Sequence, residues 1–339
     1  MGLPFGIARS LSPRGALPID AERLDSSGDA RADELEIAVA ELLISSTAFR
    51  QLMGASDPAQ RIRDIVAGEG RFRDPVTGAG GVLLGRIATV GESFRSDPQP
   101  RGGERIVTLL SLACTPLRLD AVLGIDNLRM AVQVRGTAFL PQGAPWIEPP
   151  AALADNVALA TLDVCGAPAH AHRLARPGQD ILVLGAGKAG VLTALAAIES
   201  GANVILLEGR AARLEAVQAV LPLAGAAVVD ATEPLAVHEV VGRLTGGRGA
   251  ALTFSCVNVA RAEASAFLAT RDGGTVVYFS MSTDFARAAL GAESAQRDVT
   301  MVIGNGFVPG HAAYALDLVR RHPEVHQLLG NSGKGGDAN

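Results

Sequence analysis

Three glycines, Gly185, Gly187 and Gly190, have the spacing G-x-G-x-x-G in the stretch ILVLGAGKAG. An apolar run typical of a β-strand precedes them, and a helical pattern follows. In this arrangement the first glycine permits a tight turn, the second lets the backbone approach a pyrophosphate, and the third lets strand and helix pack closely. The helix N-terminus adds free N–H groups and a partial positive charge. The spacing therefore predicts a site for the pyrophosphate of a dinucleotide.

A carboxylate stands where the ribose of such a dinucleotide needs one. The segment NVILLE is predicted as the next strand, and it ends at Glu208, 18 positions after Gly190. A carboxylate at this distance binds the ribose 2′-hydroxyl and favours NAD. Arg210, two positions later, can instead pair with the 2′-phosphate of NADP. We therefore expect NAD and leave NADP open. A glycine-rich turn that binds nothing is disfavoured, because strand, helix and acid all agree.

Polar residues at the ends of later strands are predicted to line the same site, since open α/β sheets bind ligands outside the carboxyl ends of their strands. Asp230 follows the third strand and either edges the adenine site or caps the next helix. Asn258, Ser280 and Met281 follow the fourth and fifth strands, where a nicotinamide ring would be contacted. Turn chemistry is the alternative for them, above all for Asn258. The predicted cofactor-binding residues are Gly185, Gly187, Lys188, Ala189, Gly190, Glu208, Arg210, Asp230, Asn258, Ser280 and Met281.

A second glycine-rich stretch, DPVTGAGGVLLG, covers residues 74–85. It leads into an apolar run but lacks the helix and the distant acid that accompany the first motif. We therefore interpret it as a loop entering a strand and not as a phosphate site. Its glycines can bring backbone close to a ligand, and Thr77 and Asp74 offer polar contacts.

The predicted elements change character near residue 150. Before it the chain is rich in strand patterns and glycine, with strands at 35–44, 82–90 and 105–112 and a helix at 58–70. After a helical segment at 151–174, short apolar strands alternate with helices, which predicts a doubly wound parallel sheet and an α/β fold. The six predicted strands of that sheet are 180–184, 203–208, 226–229, 250–255, 275–279 and 299–303.

Composition excludes several classes of function. The net charge of −5 gives no electrostatic basis for binding nucleic acid. No apolar run approaches the ~20 residues of a membrane helix, and no secretion signal is recognised at the start. The three cysteines, Cys114, Cys165 and Cys256, are scattered and odd in number, which is typical of a reduced cytoplasmic protein without disulfides or structural zinc. The tail 331–339 is expected to be disordered.

The order of the two parts and three short motifs resemble the medium-chain dehydrogenase/reductase superfamily. The motifs are GRIATVG at 85–91, GGERI at 102–106 and PGQD at 177–180. The resemblance implies a GroES-like β-rich domain at 1–150 that holds the substrate, joined by the returning segment 305–339. It implies a Rossmann dinucleotide-binding domain at 151–304. We also expect a homodimer.

The departures from zinc-containing members of that superfamily are equally informative. Those proteins have a cysteine near the position of Ser46 and a His-Glu pair in the loop where this chain has Gly81 and Val82. They also carry a four-cysteine lobe that is missing here. The zinc chemistry cannot be assembled from this pattern, so we expect no metal and interpret 74–85 as a substrate loop without one.

Longer segments are similar to the L-erythro-3,5-diaminohexanoate dehydrogenase family of bacterial lysine fermentation. The resemblance implies an NAD(P)-dependent oxidative deamination of a small diamino acid. The C3 carbon that bears an amine loses a hydride to the nicotinamide, water attacks the iminium, and ammonium leaves 5-amino-3-oxohexanoate. The segments are PVTGAGGVLLG (75–85), LACTPLRLD (112–120), LDVCGAPAHA (162–171), ATRDGGTVVYFSMSTDFARAALGAE (269–293) and DVTMVIGNGFVPGHA (298–312).

The implied reaction needs a base for the amine proton, an ordered water and a carboxylate for the second ammonium. Asp163 is the candidate for the acid/base or amine-binding role, Thr77 for orienting water or the amine, and Asp74 for binding an ammonium. Their alternatives are a helix-internal acid, a turn hydroxyl and a solvated loop acid. Glu148 and Glu293 are further carboxylate candidates, Glu293 across a dimer, with exposed charge as the alternative.

Several other residues are weaker candidates. Arg118 and Arg135 are positioned in the sequence to hold a substrate carboxylate, with surface cations as the alternative. His311 begins the last helix and is either a proton shuttle or a surface histidine. Cys114 and Cys165 are expected to be small buried packing residues.

Two other classes of function stay open. Another zinc-free reductase of the superfamily, acting on quinones or enoyl groups, would need an apolar substrate site and would favour NADPH. A non-enzymatic NAD-binding protein would bind the dinucleotide without turning over any amine.

Overall fold

The computed structural model describes residues 4–330. The tail 331–339, predicted to be disordered, lies outside the described residues. The chain forms two compact units, of which the first ends at Asp163 and the second begins at Val164. Within the described range, no helix combines the length and apolar character needed to cross a bilayer.

The first unit contains eight strands and three helices in its described part. The elements are β1 (Ser10–Ser12), β2 (Arg23–Leu24), β3 (Glu34–Ile44), α1 (Ser46–Met53), α2 (Pro58–Glu69), β4 (Gly81–Val90), β5 (Arg105–Thr108), β6 (Leu117–Asp126), β7 (Ala131–Pro141), β8 (Trp146–Ile147) and α3 (Asp155–Leu162). Six of these strands form one antiparallel sheet in the order β6-β7-β3-β4-β5-β8.

The helix α2 leads the chain into the glycine-rich loop and has clear start and stop signals. Pro58 occupies its first turn, and the Asp57 side chain accepts a hydrogen bond from Gln60 N at 2.9 Å. The predicted apolar face packs into the core of the unit, because Ile62, Ile65 and Val66 are all buried. The helix ends in a left-handed cap at Gly70, so the loop begins from a fixed position.

Two local predictions in this unit differ from the structure. The strand predicted at 105–112 ends at Thr108, because Ser111 starts a short 3₁₀ turn over Leu112–Cys114 and its hydroxyl accepts from Ala113 N at 3.2 Å. The helix α1 was not predicted. It follows β3 directly and buries Phe49 and Leu52, but its apolar residues are too few for an unambiguous helical period.

The second unit contains six parallel strands in the order β11-β10-β9-β12-β13-β14, with helices between them. This order confirms the predicted doubly wound α/β fold, and every predicted strand is present. The elements are α4 (Gly166–Leu174), β9 (Asp180–Leu184), α5 (Lys188–Glu199), β10 (Asn203–Glu208), α6 (Ala211–Gln218), β11 (Gly225–Val228), α7 (Pro234–Leu244), β12 (Ala250–Ser255), α8 (Glu263–Ala269), β13 (Thr270–Tyr278), α9 (Phe285–Ser294), β14 (Val299–Ile303), α10 (His311–Arg321) and α11 (His326–Gly330).

The boundary between the units lies later than the predicted residue 150. The helical segment 151–174 is two helices, of which α3 closes the first unit and α4 opens the second. The described part of 305–339 was predicted to join the first domain, but it packs within the second unit. One contact of this packing is a close approach of backbones, since a methyl group on Gly166 in α4 would lie 2.7 Å from Gly306 O.

Candidate functional site

The turn between β9 and α5 has the geometry that its glycine spacing predicts. Gly185 has a φ of 92°, in the left-handed region that favours glycine, and its N–H donates to Leu207 O at 2.7 Å. A methyl group on Gly190 would lie 1.8 Å from Gly185 O, so helix and strand touch there. A methyl group on Gly187 would meet no atom within 4 Å. The turn is closed on the protein side and open at Gly187, which fits an approaching pyrophosphate.

Lys188 and Ala189 form the first turn of α5, as predicted. The first N–H groups of an α-helix have no carbonyl partner within the helix. The Lys188 side chain is buried, whereas Ala189 is half-buried. The first turn of this helix therefore offers backbone donors next to the open position at Gly187.

Glu208 ends β10 and reaches the same turn. Its carboxylate is 8% exposed and accepts from Ala186 N at 2.8 Å. It also accepts from Arg210, through the backbone N at 3.1 Å and through Nε at 3.0 Å. The acid thus joins the glycine turn to the next strand end, in the position where the sequence places the ribose contact.

A second arginine at this turn was not identified from the sequence. Arg213, in α6, donates from Nε to Ala186 O at 2.7 Å and from Nη2 to Leu328 O at 3.0 Å. Burial lowers its pKa, and the charge of Arg210 adds to that effect. Arg213 therefore fixes the carbonyl side of the turn while Glu208 holds the N–H side. Its position one helical turn after Arg210 is the only signal that the sequence contains.

Asp230 follows β11 and folds back on its own loop. Its carboxylate accepts from Thr232 N and from the Thr232 hydroxyl, both at 2.8 Å, and these bonds lower the pKa of Asp230. The helix cap alternative is wrong, because the residue at the N-cap of α7 is Glu233. The adenine contact stays a prediction for this exposed carboxylate.

The structure brings together the residues predicted at the ends of β12 and β13. The Ser280 hydroxyl donates to Asn258 Oδ1 at 3.0 Å and accepts from Ser282 N at 3.1 Å. Met281 is 71% exposed beside them. The contact between Asn258 and Ser280 links two neighbouring strand ends, so the two residues form one structural feature. Their role toward a nicotinamide stays a prediction.

The loop 74–81 of the first unit is closed by its own side chains. Asp74 is 2% exposed, which corrects the expectation of a solvated acid. Its carboxylate accepts from Thr77 N at 2.9 Å and from the Thr77 hydroxyl. The backbone closes the same turn, with Asp74 N donating to Ala79 O at 2.9 Å and Gly78 N donating to Asp74 O at 2.8 Å. The loop is therefore rigid, and its buried acid is satisfied locally.

The glycines after this loop lie against the end of β3. Gly81 pairs with Ile44, and Ser45 N donates to Gly80 O at 3.0 Å. A methyl group on Gly81 would lie 2.0 Å from Leu43 O. Ser46, which begins α1, follows at once. Positions 46, 81 and 82, for which the resemblance implies zinc ligands in zinc-containing members, thus lie near one another in this unit and hold serine, glycine and valine. Among residues 4–330 no group of three or more His, Cys, Asp or Glu side chains is arranged to hold a metal.

The remaining carboxylate candidates are spread over the chain. Asp163 is half-buried at the C-terminal cap of α3 and not inside a helix, and its N–H donates to Leu159 O at 3.0 Å. Glu148 is exposed just after β8, and Glu293 is exposed on α9. Their catalytic roles stay predictions.

Other weak candidates are placed as follows. Arg118 is half-buried and donates to Gly28 O at 2.7 Å, whereas Arg135 is exposed and faces Asp120 at 4.0 Å. His311 is 4% exposed, so the alternative of a surface histidine is wrong, and burial lowers its pKa. Cys165 is buried as expected, and Cys114 is half-buried with its pKa raised by burial.

Comparison of folds identifies solved structures with the same architecture. A quinone oxidoreductase from Coxiella burnetii matches with a TM-score of 0.57 and 13% identity, covering 87% of this chain and 81% of that protein. The alcohol dehydrogenase TADH from Thermus sp. ATN1 matches with a TM-score of 0.55 and 17% identity, covering 92% and 87%. At this identity the likeness shows the fold alone.

Comparison of sequences identifies the family. The family described as "L-erythro-3,5-diaminohexanoate dehydrogenase N-terminal domain" matches residues 8–150. The L-erythro-3,5-diaminohexanoate dehydrogenase of Fusobacterium nucleatum is 33% identical over 97% of this chain and 98% of its own length. The enzyme of the same name from Acetoanaerobium sticklandii is 34% identical over 94% and 95%. The chain is therefore an oxidoreductase with a nicotinamide dinucleotide site, and it belongs to the L-erythro-3,5-diaminohexanoate dehydrogenase family.

Proposed function

We propose that this chain catalyses the NAD-dependent oxidative deamination of L-erythro-3,5-diaminohexanoate to 5-amino-3-oxohexanoate and ammonium. The observation that carries the proposal is identity of 33–34% with two dehydrogenases of that name over nearly the full length of each protein. The glycine turn after β9 supports it, because its open position at Gly187 and its closed positions at Gly185 and Gly190 fit a dinucleotide. When bound, the nicotinamide accepts the hydride that leaves C3 of the substrate.

We assign the amine chemistry to Asp163. Only a neutral amine can release hydride from its carbon, so a carboxylate must accept a proton before that step and must return one to the leaving nitrogen later. Asp163 is half-buried, at the end of α3, in a segment that the resemblance places next to the reacting centre. Glu148 is the second carboxylate that we propose, for the other ammonium group, because it is exposed and thus free to approach a cationic ligand.

We assign Thr77 a contact with the substrate amine or with the attacking water, and Asp74 the support of Thr77. The Asp74 carboxylate is buried and accepts both the N–H and the hydroxyl of Thr77, so it sets the direction of the threonine oxygen lone pairs. A hydroxyl that donates to a carboxylate becomes a better acceptor, which suits it to an ammonium or a water proton.

We propose NAD as the preferred dinucleotide. Glu208 is held at the end of β10 by Ala186 N and Arg210, and a fixed carboxylate there would accept from a ribose 2′-hydroxyl and repel a 2′-phosphate. The test is the ratio of kcat/KM for NAD to kcat/KM for NADP. Glu208→Gln should reduce this ratio by about tenfold or more, whereas Arg210→Gln should leave it unchanged or raise it. A wild-type preference for NADP would overturn the assignment.

We propose that the protein forms a homodimer through β14, the edge strand of the parallel sheet. This strand, VTMVI, carries no charge or proline to prevent pairing, and Ile303 at its end is 64% exposed. The opposite edge, β11, is only four residues long and includes a glycine. Light scattering measures the molar mass of the wild type and of Ile303→Lys. If a second copy of the chain pairs with this edge, the wild type is a dimer and the lysine variant is a monomer.

We propose that the protein is cytoplasmic, because its three cysteines are odd in number and far apart in the sequence, which is typical of a reduced compartment. Thiol titration of the denatured protein, purified without reductant, should find all three thiols reduced. A disulfide-bonded chain would contradict the assignment.

The function is tested by incubating the purified protein with NAD and L-erythro-3,5-diaminohexanoate at alkaline pH and following absorbance at the NADH wavelength. We expect NADH to form only when the diamino acid is present. Oxidation of NADPH by a quinone or an enoyl compound, without activity toward the diamino acid, would favour another reductase of this fold. Binding of NADH without turnover of any of these compounds would favour a non-enzymatic protein.

A further inference from the structure

Glu263 is a buried acid to which the reaction assigns no role. It is the first residue of α8 and is 2% exposed. It lies in the second unit, after the carboxyl end of β12, and its backbone carbonyl accepts from the Tyr278 hydroxyl at 3.3 Å. The nearby Tyr278 side chain is itself buried, and burial followed by the charge of Glu263 raises the pKa of that phenol. Burial of a carboxylate costs free energy, so a fully buried glutamate usually has a specific structural or functional role.

One oxygen of this carboxylate holds a loop. Glu263 Oε1 accepts from Asp284 N at 2.8 Å, and Asp284 in turn caps α9 by accepting from Arg287 N at 2.9 Å. The segment 279–284, which follows β13, ends at this contact. Its other fixed point is the bond from the Ser280 hydroxyl to Asn258 Oδ1. The loop that carries Ser280 and Met281 is therefore attached at both ends to the connection between β12 and α8.

The other oxygen of the Glu263 carboxylate makes its burial costly. Glu263 Oε2 is buried without a hydrogen-bond partner among the described residues. A buried polar atom left unpaired costs free energy, and a buried charge costs more. Glutamine would keep an acceptor for Asp284 N and would remove that charge. The loop therefore depends on the acceptor Oε1 and not on the negative charge.

We propose that Glu263 is a positioning residue for the nicotinamide half of the dinucleotide, acting through the loop 279–284. This inference rests on the proposed function, since it assumes that the dinucleotide binds along the carboxyl ends of β9, β12 and β13. The loop follows β13, next to β12 in the sheet, so it lies on the side away from β10 and Glu208. Glu263 fixes the end of this loop and Asn258 its beginning, which leaves Ser280 and Met281 in a single defined arrangement.

The experiment compares two ligands in the wild type, two variants of Glu263 and one control variant. NADH and ADP-ribose, which lacks the nicotinamide, are titrated into wild type, Glu263→Ala and Glu263→Gln, and thermal melting is recorded for each. Glu215→Ala, which removes an exposed acid on α6 of the same unit, is the control. We expect Glu263→Ala to weaken NADH binding about tenfold, as for the loss of one buried hydrogen bond, and to leave ADP-ribose binding unchanged. Glu263→Gln should restore NADH binding and melt at the same or a higher temperature.

Each other result has a defined meaning. Equal weakening of NADH and ADP-ribose in Glu263→Ala would show a general structural role and overturn the inference. So would an affinity for NADH equal to that of the wild type in Glu263→Ala. Failure of the wild type to bind NADH at all would reject the proposed function and this inference together, whereas the first two results reject the inference alone.

Discussion

In the turn 185–190 a methyl group on Gly187 would meet no atom within 4 Å, whereas in the loop 74–81 a methyl group on Gly81 would lie 2.0 Å from Leu43 O. The first segment leads into the N-terminus of α5, where the first N–H groups have no carbonyl partner within the helix. The second uses its polar groups on itself, since Asp74 accepts from the Thr77 N–H and hydroxyl. Both segments are rich in glycine, but Gly187 leaves open space beside the turn, whereas Gly81 allows close contact with neighbouring backbone.

The difference shows how a glycine-rich turn that binds a ligand can be told apart from a glycine-rich loop that packs on its neighbours. In the turn 185–190 Gly187 faces open space at the N-terminus of α5, as the predicted pyrophosphate contact requires. In the loop 74–81 a Cβ on Gly80 would lie 2.5 Å from Ala113 N and one on Gly81 would lie 2.0 Å from Leu43 O, so these two glycines allow close packing against backbone, whereas Gly78 faces open space. Of the polar side chains of this loop, Asp74 is buried and Thr77 is half-buried. Neither glycine content nor an open glycine alone distinguishes the two cases, but the helix N-terminus that follows Gly187 does.

The largest effect is expected from adding a methyl group at Gly190 in the turn 185–190. Gly190→Ala places a methyl group 1.8 Å from Gly185 O, a clash with backbone that cannot be relieved by a side-chain rotation. We expect loss of measurable NADH binding and a destabilisation of more than about 3 kcal/mol. NADH fluorescence titration and thermal melting check both. The matched variant Gly187→Ala should melt like the wild type and bind NADH more weakly, and unchanged binding in that variant would break the comparison.

The next largest effect is expected at Asp163, the proposed acid/base, which lies in neither glycine-rich segment. Asp163→Asn should lower kcat at least about a hundredfold, because an amide cannot accept the amine proton. NADH affinity should stay unchanged, because asparagine has nearly the same size as aspartate and the substitution alters no residue of the turn 185–190. Steady-state kinetics and NADH titration are the measurements. Activity close to that of the wild type would reject Asp163 as the acid/base.

A smaller effect tests whether Asp74 stabilises the loop 74–81 or binds the substrate. Asp74→Ala leaves two donors of Thr77 without their acceptor in a buried turn. We expect a loss of about 2 kcal/mol in the free energy of unfolding. Thr77→Val keeps the shape and removes only the hydroxyl, so it should cost about 1 kcal/mol and raise the KM for the diamino acid. If Asp74→Ala melted normally but lost affinity for the diamino acid, Asp74 would be an ammonium ligand instead.

The smallest effect is expected outside both segments, at the end of α10. Burial lowers the pKa of His322, but hydrogen bonds with Glu324 and Glu199 outweigh it and raise that pKa above its ordinary value. The contribution to stability is therefore complete below the unfolded pKa of about 6.5 and is lost as the pH rises through the folded value.

Urea unfolding at pH 5.5 and 8.5 measures that contribution. His322→Gln should destabilise the protein by about 0.5 kcal/mol more at pH 5.5 than at pH 8.5. His238→Gln is the control, because His238 bonds to the backbone carbonyl of Leu268 and not to a carboxylate. A larger loss at the higher pH would contradict the assigned sign.

Local patterns predicted most of the fold. The parallel strands and the glycine turn follow from short apolar runs and one motif, which are properties of neighbouring residues. The boundary at Asp163 and the packing of 305–330 within the second unit could not be predicted, because they depend on contacts between residues distant in sequence, such as Gly166 with Gly306.

The same limit applies to the site. Glu208 was found because its distance from Gly190 is fixed by the fold. Arg213 and Glu263 were missed because their partners, Ala186 O and Asp284 N, are backbone atoms that carry no sequence signature. Asp74 was expected in solvent, since the sequence does not show that a turn hydroxyl and its N–H bury the carboxylate.

The central claim is that the turn 185–190 serves the oxidation of an amine, and the stoichiometry of the reaction tests it most directly. Purified protein is supplied with NAD and L-erythro-3,5-diaminohexanoate, and NADH and ammonium are measured in the same samples over time. The account predicts that the two products appear together, one ammonium for each NADH. NADH without ammonium, or no NADH from this substrate, would contradict it.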